Sequence, residues 1–319
     1  MRFPLSSVTL ASVLCASLCI SSGEALAAAQ SQDPVRLAVV SAPDADFITN
    51  VFGTLLKKAG YNIQYVHTDY TAQFTAIELG DLEISPAIWS SSPELIAAAL
   101  ASGSVTKVGS VGVKIRETWW YPNYVAELCP GLPDWKALKN PACIKALSNP
   151  ETDGKINYLG TPADFDADDE RRIAALGLDV HITLPGTMAA MVATMQGAIE
   201  RKKPIIGFGF VPHWLYGSGV GTFVDFPPYE DACRSDPAWG VTPDLVGDCA
   251  LPTGDIIELI NNDFAKREPN VTDLLKKFVL TNDDVAWGIL KQDKGGLTPE
   301  AAAAEWISTN EKKWSPWLQ

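Results

Sequence analysis

Val35-Arg36-Leu37-Ala38-Val39-Val40 decides the fold. A continuous apolar run broken by a single charge reads as a strand buried on both faces. Asp46 to Ala59 follows, with Phe47, Val51, Leu55 and Ala59 at the spacing of one helical face, and stops at Gly60. Tyr61 to His67 alternates as a second strand. Gln73 to Leu79 is a second helix ended by Gly80, and Leu82-Glu83-Ile84 opens a third strand that delivers Trp89. Ser92-Pro93-Glu94 starts an alanine-rich helix to Leu100, with Pro in the first turn, where its missing N–H is not needed. Lys107 to Val113 is a further strand. Strands that alternate with helices imply parallel pairing and a sheet covered on both faces.

A second series repeats the rhythm. Pro133-Asp134-Trp135 starts a short helix through Leu138, and Ile156-Asn157-Tyr158-Leu159-Gly160 is a strand. Asp168 to Leu176 is a helix closed by Gly177. Val180 to Leu184 is a strand, Thr187 to Lys202 a long helix, and Pro204 to Phe208 a strand that delivers Phe210 and Trp214. Thr222 to Phe226 returns as a strand, and from Ile256 to the end the pattern is helical. The expectation is an α/β protein of two lobes, each a mainly parallel sheet flanked by helices, with a ligand cleft between them. Lobe I takes residues 28–112 and 221–319, and lobe II takes 113–220. A ligand in such a cleft touches both lobes and draws them shut.

Arg2, an apolar stretch from Leu5 to Ile20 and Ala25-Leu26-Ala27 have the layout of a secretory signal peptide over residues 1–27. The stretch is short for a membrane span, and no later segment approaches ~20 apolar residues. Cys15 and Cys19 each follow a Leu, which argues against a lipid anchor. Cys129, Cys143, Cys233 and Cys249 remain after cleavage. An even number in an exported chain suggests disulfides, in one of three connectivities. The local one, Cys129–Cys143 with Cys233–Cys249, closes the shortest loops, each worth about 3 kcal/mol in the chain-entropy account. The formal charge of −13 argues against nucleic acid and anionic membranes, and it favours cationic or zwitterionic ligands.

Four tryptophans stand out for their placement. Trp89, Trp119, Trp120 and Trp214 lie at or just after strand ends, where α/β proteins put their ligands. Several ring faces that converge on one point favour a cation too bulky to hydrogen-bond, such as a quaternary ammonium. Phe210 belongs to the same set. Adjacent residues on an extended chain point opposite ways, so one of Trp119 and Trp120 faces the cleft and the other the core. Glu117 is placed to balance a cation or meet an oxide oxygen, and His213 to donate to a carboxylate or oxide. Asp44 and Asp46 end the first strand and point toward the same cleft, and capping the helix that follows is the job read for both.

The chain resembles the periplasmic substrate-binding proteins of ABC importers for glycine betaine and related methylated amines, and within them the trimethylamine N-oxide type. Gly80-Asp81, Glu117-Thr118-Trp119-Trp120-Tyr121-Pro122, Cys129-Pro130-Gly131-Leu132-Pro133-Asp134-Trp135 and Phe210-Val211-Pro212-His213-Trp214 carry the resemblance. So does the stretch from Pro227 to Cys249, with Asp236-Pro237-Ala238-Trp239-Gly240 inside it. The resemblance implies the two-lobe periplasmic binding protein fold of type II and an aromatic box at the hinge, lined by Trp89, Trp119, Phe210 and Trp214. It implies a periplasmic monomer that delivers its ligand to an ABC permease. The family often has Trp at the Phe210 position and an acid at the Ala87 position. The ligand therefore stays open among glycine betaine, trimethylamine N-oxide, choline, carnitine and sulfonium analogues. A different small polar solute, or delivery to a sensor, is the alternative reading.

Catalytic patterns are missing. The chain has no Gly-x-Ser-x-Gly elbow, and His67, His181 and His213 are scattered. Gly217-Ser218-Gly219-Val220-Gly221 lacks the third glycine of a dinucleotide loop. The expectation is a binding protein without catalysis and without a required cofactor. Glu230, Asp231, Asp236, Asp244 and Asp248 lie in or beside the second cysteine loop. They are a candidate calcium site, since that ion takes six to eight oxygens at flexible spacing.

Overall fold

A computed structural model describes residues 32–163, 165, 167–242 and 244–319. The expected signal peptide over 1–27 lies outside the described residues. The strands are β1 (Val35–Val39), β2 (Ile63–His67), β3 (Ile84–Trp89), β4 (Val105–Pro122), β5 (Ile156–Leu159), β6 (Val180–Thr183), β7 (Ile206–Val211), β8 (Gly221–Phe223) and β9 (Gly254–Asn261). The helices before β5 are α1 (Pro43–Lys58), α2 (Ala72–Leu79), α3 (Pro93–Ala101), α4 (Val125–Leu128) and α5 (Pro141–Leu147). Those after it are α6 (Asp169–Leu176), α7 (Met188–Glu200), α8 (Asp231–Ser235), α9 (Asn262–Arg267), α10 (Pro269–Lys277), α11 (Asn282–Asp293), α12 (Pro299–Thr309) and α13 (Glu311–Trp314).

One sheet runs through the molecule in the order β2-β1-β3-β9-β4-β7-β5-β6, with β8 beside β4. The outer pairings β1–β2, β1–β3, β5–β6 and β5–β7 are parallel, as the alternation predicts. The centre is antiparallel, because β9 pairs β3 and β4, and β4 pairs β7 and β8. The expected strand over Lys107–Val113 is an 18-residue strand. Its first part, Val105 to Ile115, pairs with β9, and Arg116 to Trp120 pairs with β7. β4 therefore belongs to both halves, and Glu117 sits just past the point of transfer.

Helix α1 begins earlier than its apolar face predicts. Pro43 takes the first turn, and Asp44 and Asp46 sit beside the N-terminal N–H groups. Phe47, Val51, Phe52 and Leu55 are fully buried against Phe278, Val285, Ile289 and Trp306 of the C-terminal helical region. The opposite sheet face carries Phe74, Ile77, Ile88, Ala99, Ile257 and Leu259. A third group fills the second half, from Trp119 and Trp120 to Met191, Phe208 and Phe226.

One expectation is corrected. Ile256-Ile257-Glu258-Leu259-Ile260 is strand β9 and not helix. A central strand buries both faces, so it reads as an unbroken apolar run that periodicity alone does not separate from a helix. Val224, Phe226 and Cys249 do not join the first core at Gly221. They pack in or against the second half, and the chain returns to the first only near β9.

Both local disulfides are formed, Cys129 to Cys143 and Cys233 to Cys249. No helix among the described residues is long and apolar enough to cross a membrane.

Candidate functional site

A cavity of about 180 Å³ lies between the two halves. It opens where β1, β2, β3, β5 and β7 end, so loops and helix starts build most of its wall, as in other open α/β sheets. The first half contributes Asp44 from the start of α1, Tyr70 from the link after β2, and Trp89 from the end of β3. The second half contributes Glu117 from β4, Phe165 from the link after β5, and Phe210 from β7. Ala87, Met188 and Phe208 add apolar surface.

The rings are held in place. Trp89 and Phe210 meet edge to face across the halves, with centroids 5.9 Å apart. Tyr70 and Phe165 meet at 6.2 Å, also across the halves. The indole N–H of Trp89 donates to Asp44 Oδ2 at 2.7 Å, and the Tyr70 hydroxyl donates to the Trp89 carbonyl at 3.2 Å. The polar edges of both rings are thus engaged on the first half.

Two carboxyl groups share this space, and the lining includes no Lys, Arg or His among the described residues. Burial pushes the Asp44 carboxyl up, against the pull of the Trp89 N–H and the backbone N–H groups of its own turn. Burial pushes Glu117 up to about 7. The Ser91 hydroxyl and Arg172 favour its ionised form, while Asp44 and Asp169 disfavour it. Ring faces with negative charge beside them have the chemistry that suits a methylated cation.

A profile described as the substrate-binding domain of ABC-type glycine betaine transport systems matches residues 33–309. The chain belongs to this family. A trimethylamine N-oxide-binding protein of Pelagibacter ubique (strain HTCC1062) is 33% identical over 298 residues, covering 92% of this chain and 93% of that one. Lactococcal OpuAC in its closed form with glycine betaine aligns with a TM-score of 0.68 at 19% identity, over 90% of this chain and 99% of its own. A choline-binding protein of an ABC transporter in complex with choline aligns at 0.69 and 20% identity, over 89% of this chain and 91% of its own. The fold is the two-lobe α/β architecture of these proteins.

Of the residues the sequence singled out, this member of the family brings Trp89, Phe210 and Glu117 together in the cavity. Trp119 is elsewhere. It is fully buried, stacked on Tyr158 at 4.0 Å and edge-on to Phe226, and its indole N–H donates to Asp169 Oδ1 at 2.7 Å. Arg172 closes that buried network, 2.9 Å from Asp169 and bonded to the Cys249 carbonyl. Trp120 is equally buried, against Tyr216 and the bare backbones of Gly209 and Gly221, where a Cβ would collide with its ring. Neither tryptophan is among the residues that line the cavity, where the sequence placed one of them. Their neighbour Glu117 does line it, because β4 passes the cavity one turn of the pleat earlier.

Trp214 and His213 line a different groove, against α11. The Trp214 indole donates to Asp293 Oδ2 at 2.7 Å, and the Lys294 ammonium lies 4.9 Å above its ring. His213 is buried, and its Nδ1 accepts the Leu215 N–H at 3.0 Å. Burial lowers its pKa to about 3, so it is neutral and its approach to Asp293 is no ion pair.

Among the described residues no group of His, Cys, Asp and Glu gathers to hold a metal. The acidic side chains of the second cysteine loop are engaged locally. Glu230 accepts from the Trp239 indole, Asp231 from the Tyr229 hydroxyl, Asp236 from the Ala238 N–H and Asp248 from the Val241 N–H. Asp244 stands on a left-handed turn. The calcium expectation gains no support from this arrangement.

Sequence reading did not single out the lining residues Tyr70, Phe165, Met188 and Phe208, and it pointed Asp44 toward the cleft while giving it chiefly a capping role. Tyr70 and Phe165 carried a usable signal, since each follows the end of a parallel strand within a few residues.

Proposed function

We propose that this protein is the receptor of an ABC importer, exported to the periplasm and monomeric, which closes on a small trimethylammonium solute without catalysis and delivers it to the permease. The methyl groups rest on Trp89, Tyr70, Phe165 and Phe210, with Asp44 and Glu117 supplying negative charge. One observation carries this reading: rings from both halves and two carboxyl groups converge on one cavity. A trimethylammonium head offers no N–H, so dispersion, ring quadrupoles and charge must hold it. Each ring contributes roughly 0.5–2 kcal/mol when desolvated. Four rings supply about 2–8 kcal/mol before the cost of association. The charge of Asp44 and Glu117 and the apolar area buried by closure must supply the rest of the ~8 kcal/mol net of micromolar affinity.

The charge of the lining narrows the ligand. Among the described lining residues, the carboxylate of glycine betaine would meet two acids and no basic side chain. Choline, with a hydroxyl, and trimethylamine N-oxide, with a compact oxide, fit better. Isothermal titration calorimetry with choline, trimethylamine N-oxide, glycine betaine and ethanolamine tests the reading. Micromolar binding of choline or the N-oxide, weaker glycine betaine and silent ethanolamine are expected. No binding of any methylated compound would overturn it.

A further inference from the structure

We propose that Asp44 and Glu117 form a carboxyl pair that selects the charge of the ligand and exchanges one proton as the cavity fills. The inference rests on the trimethylammonium reading above and deepens it. Asp44 reaches the cavity from α1 and Glu117 from β4, so the two approach from opposite halves. Among the described residues, few groups act on Glu117. They are Ser91 from the link before α3, Asp44 from α1, Tyr70 from the link after β2, and Asp169 and Arg172 from α6. Arg172 is the single cation among them. It lies 2.9 Å from Asp169 and donates to the Cys249 carbonyl, so its charge is matched inside the second half.

Two acids that face one small, mostly apolar space without a matching cation do not both ionise readily. The geometry divides their roles. Asp44 accepts the Trp89 indole N–H and the N–H groups of its own helical turn, which hold its charged form. Glu117 has the Ser91 hydroxyl and is the better holder of a proton near neutrality. The pair titrates as a unit.

Ligand charge then decides what happens to that proton. A permanent cation such as choline favours two carboxylates, so its entry drives a proton from Glu117 to solvent. The oxide oxygen of trimethylamine N-oxide accepts a hydrogen bond, so its entry favours protonated Glu117 and draws a proton from solvent above neutrality. Coupling is reciprocal, so pH must change the affinity for each ligand in the matching sense. Exchange of one proton limits the slope to about tenfold per pH unit.

The test is calorimetry of the wild-type protein with choline and trimethylamine N-oxide between about pH 6 and about pH 8.5, in buffers of different ionisation enthalpy. The expected result is choline affinity that rises with pH and N-oxide affinity that falls, with buffer-dependent heats of opposite sign. If only one of them binds, the slope of that ligand decides. Glu117→Gln should flatten the profile. Ser91→Ala, which keeps the acid and removes the hydroxyl that holds its charge, should move the midpoint to higher pH. Binding with flat profiles and buffer-independent heats, or an unmoved midpoint in Ser91→Ala, would overturn the proton exchange while leaving the receptor reading intact. Absence of binding would instead sink the receptor reading.

Discussion

The indole N–H of Trp89 and Asp44 Oδ2 are 2.7 Å apart, and both residues line the cavity between the halves. Asp44 therefore does more than begin a helix. It fixes the orientation of the Trp89 ring in the cavity wall. Asp44→Ala leaves a half-buried indole N–H without its acceptor, a loss of about 1–3 kcal/mol. Ligand affinity should fall about tenfold to a hundredfold by calorimetry. Asp44→Asn retains an acceptor for the indole and should lose less with trimethylamine N-oxide than with choline, which needs the charge.

Trp89 and Trp119 separate binding from stability. Trp89→Ala removes a cavity ring and should weaken ligand binding at least tenfold. Trp119→Ala opens a hole beside Tyr158 and leaves Asp169 short of a donor, for about 3–5 kcal/mol of stability. Denaturant titration should show the large loss in Trp119→Ala. Affinity measured on its folded fraction should change less than in Trp89→Ala.

Arg234 ties the halves together. From α8 it reaches Asp168 at 2.7 Å and Glu94, at the start of α3, at 3.3 Å. The Cys233–Cys249 disulfide anchors α8 beside it. The Glu94 carboxylate is largely exposed, so its leg of the bridge is worth less than about 1 kcal/mol. Arg234→Ala should raise the ligand dissociation rate about two- to fivefold in stopped-flow measurements. High salt should reduce the difference between wild type and variant.

Glu258 makes stability depend on pH. It lies on β9, fully buried, with neither carboxyl oxygen hydrogen-bonded, and burial pushes it up to about 8. Its folded-state pKa exceeds its unfolded one, so the folded protein holds the proton more tightly. Stability is full below the unfolded value of about 4.5 and falls as pH rises toward 8. Raised values at Glu117 and Asp46, both about 7, add to the same trend. The ligand-free protein should melt higher at about pH 5.5 than at pH 8.5. Glu258→Gln should gain at least about 1 kcal/mol at the upper pH, some 2–4 °C, and almost nothing at the lower.

Much of this architecture is visible in the sequence because the physics is local. Val35 to Val40, Phe47 to Leu55 and the glycines at 80 and 177 each announce their element, and both glycines end helices in the left-handed conformation. β9 escaped because a strand buried on both faces loses its alternation. The site was legible where a residue ends a strand, as Trp89 and Phe210 do. Trp119 and Trp120 misled because a strand that crosses from one half to the other buries its two faces in different surroundings. Nothing in Glu117-Thr118-Trp119-Trp120 tells which face meets the cavity. Tyr70 and Phe165 lie in links whose course depends on the packed halves, and Asp44 acts through a partner 45 residues away.

The most direct test of the central claim is a crystal structure of the complex with choline or trimethylamine N-oxide. The account predicts the ligand nitrogen within about 6 Å of the ring centroids of Trp89 and Phe210, with Glu117 and Asp44 as the nearest charged groups. A ligand seated instead against Trp214 and Asp293, or among Trp119, Tyr158 and Phe226, would contradict it.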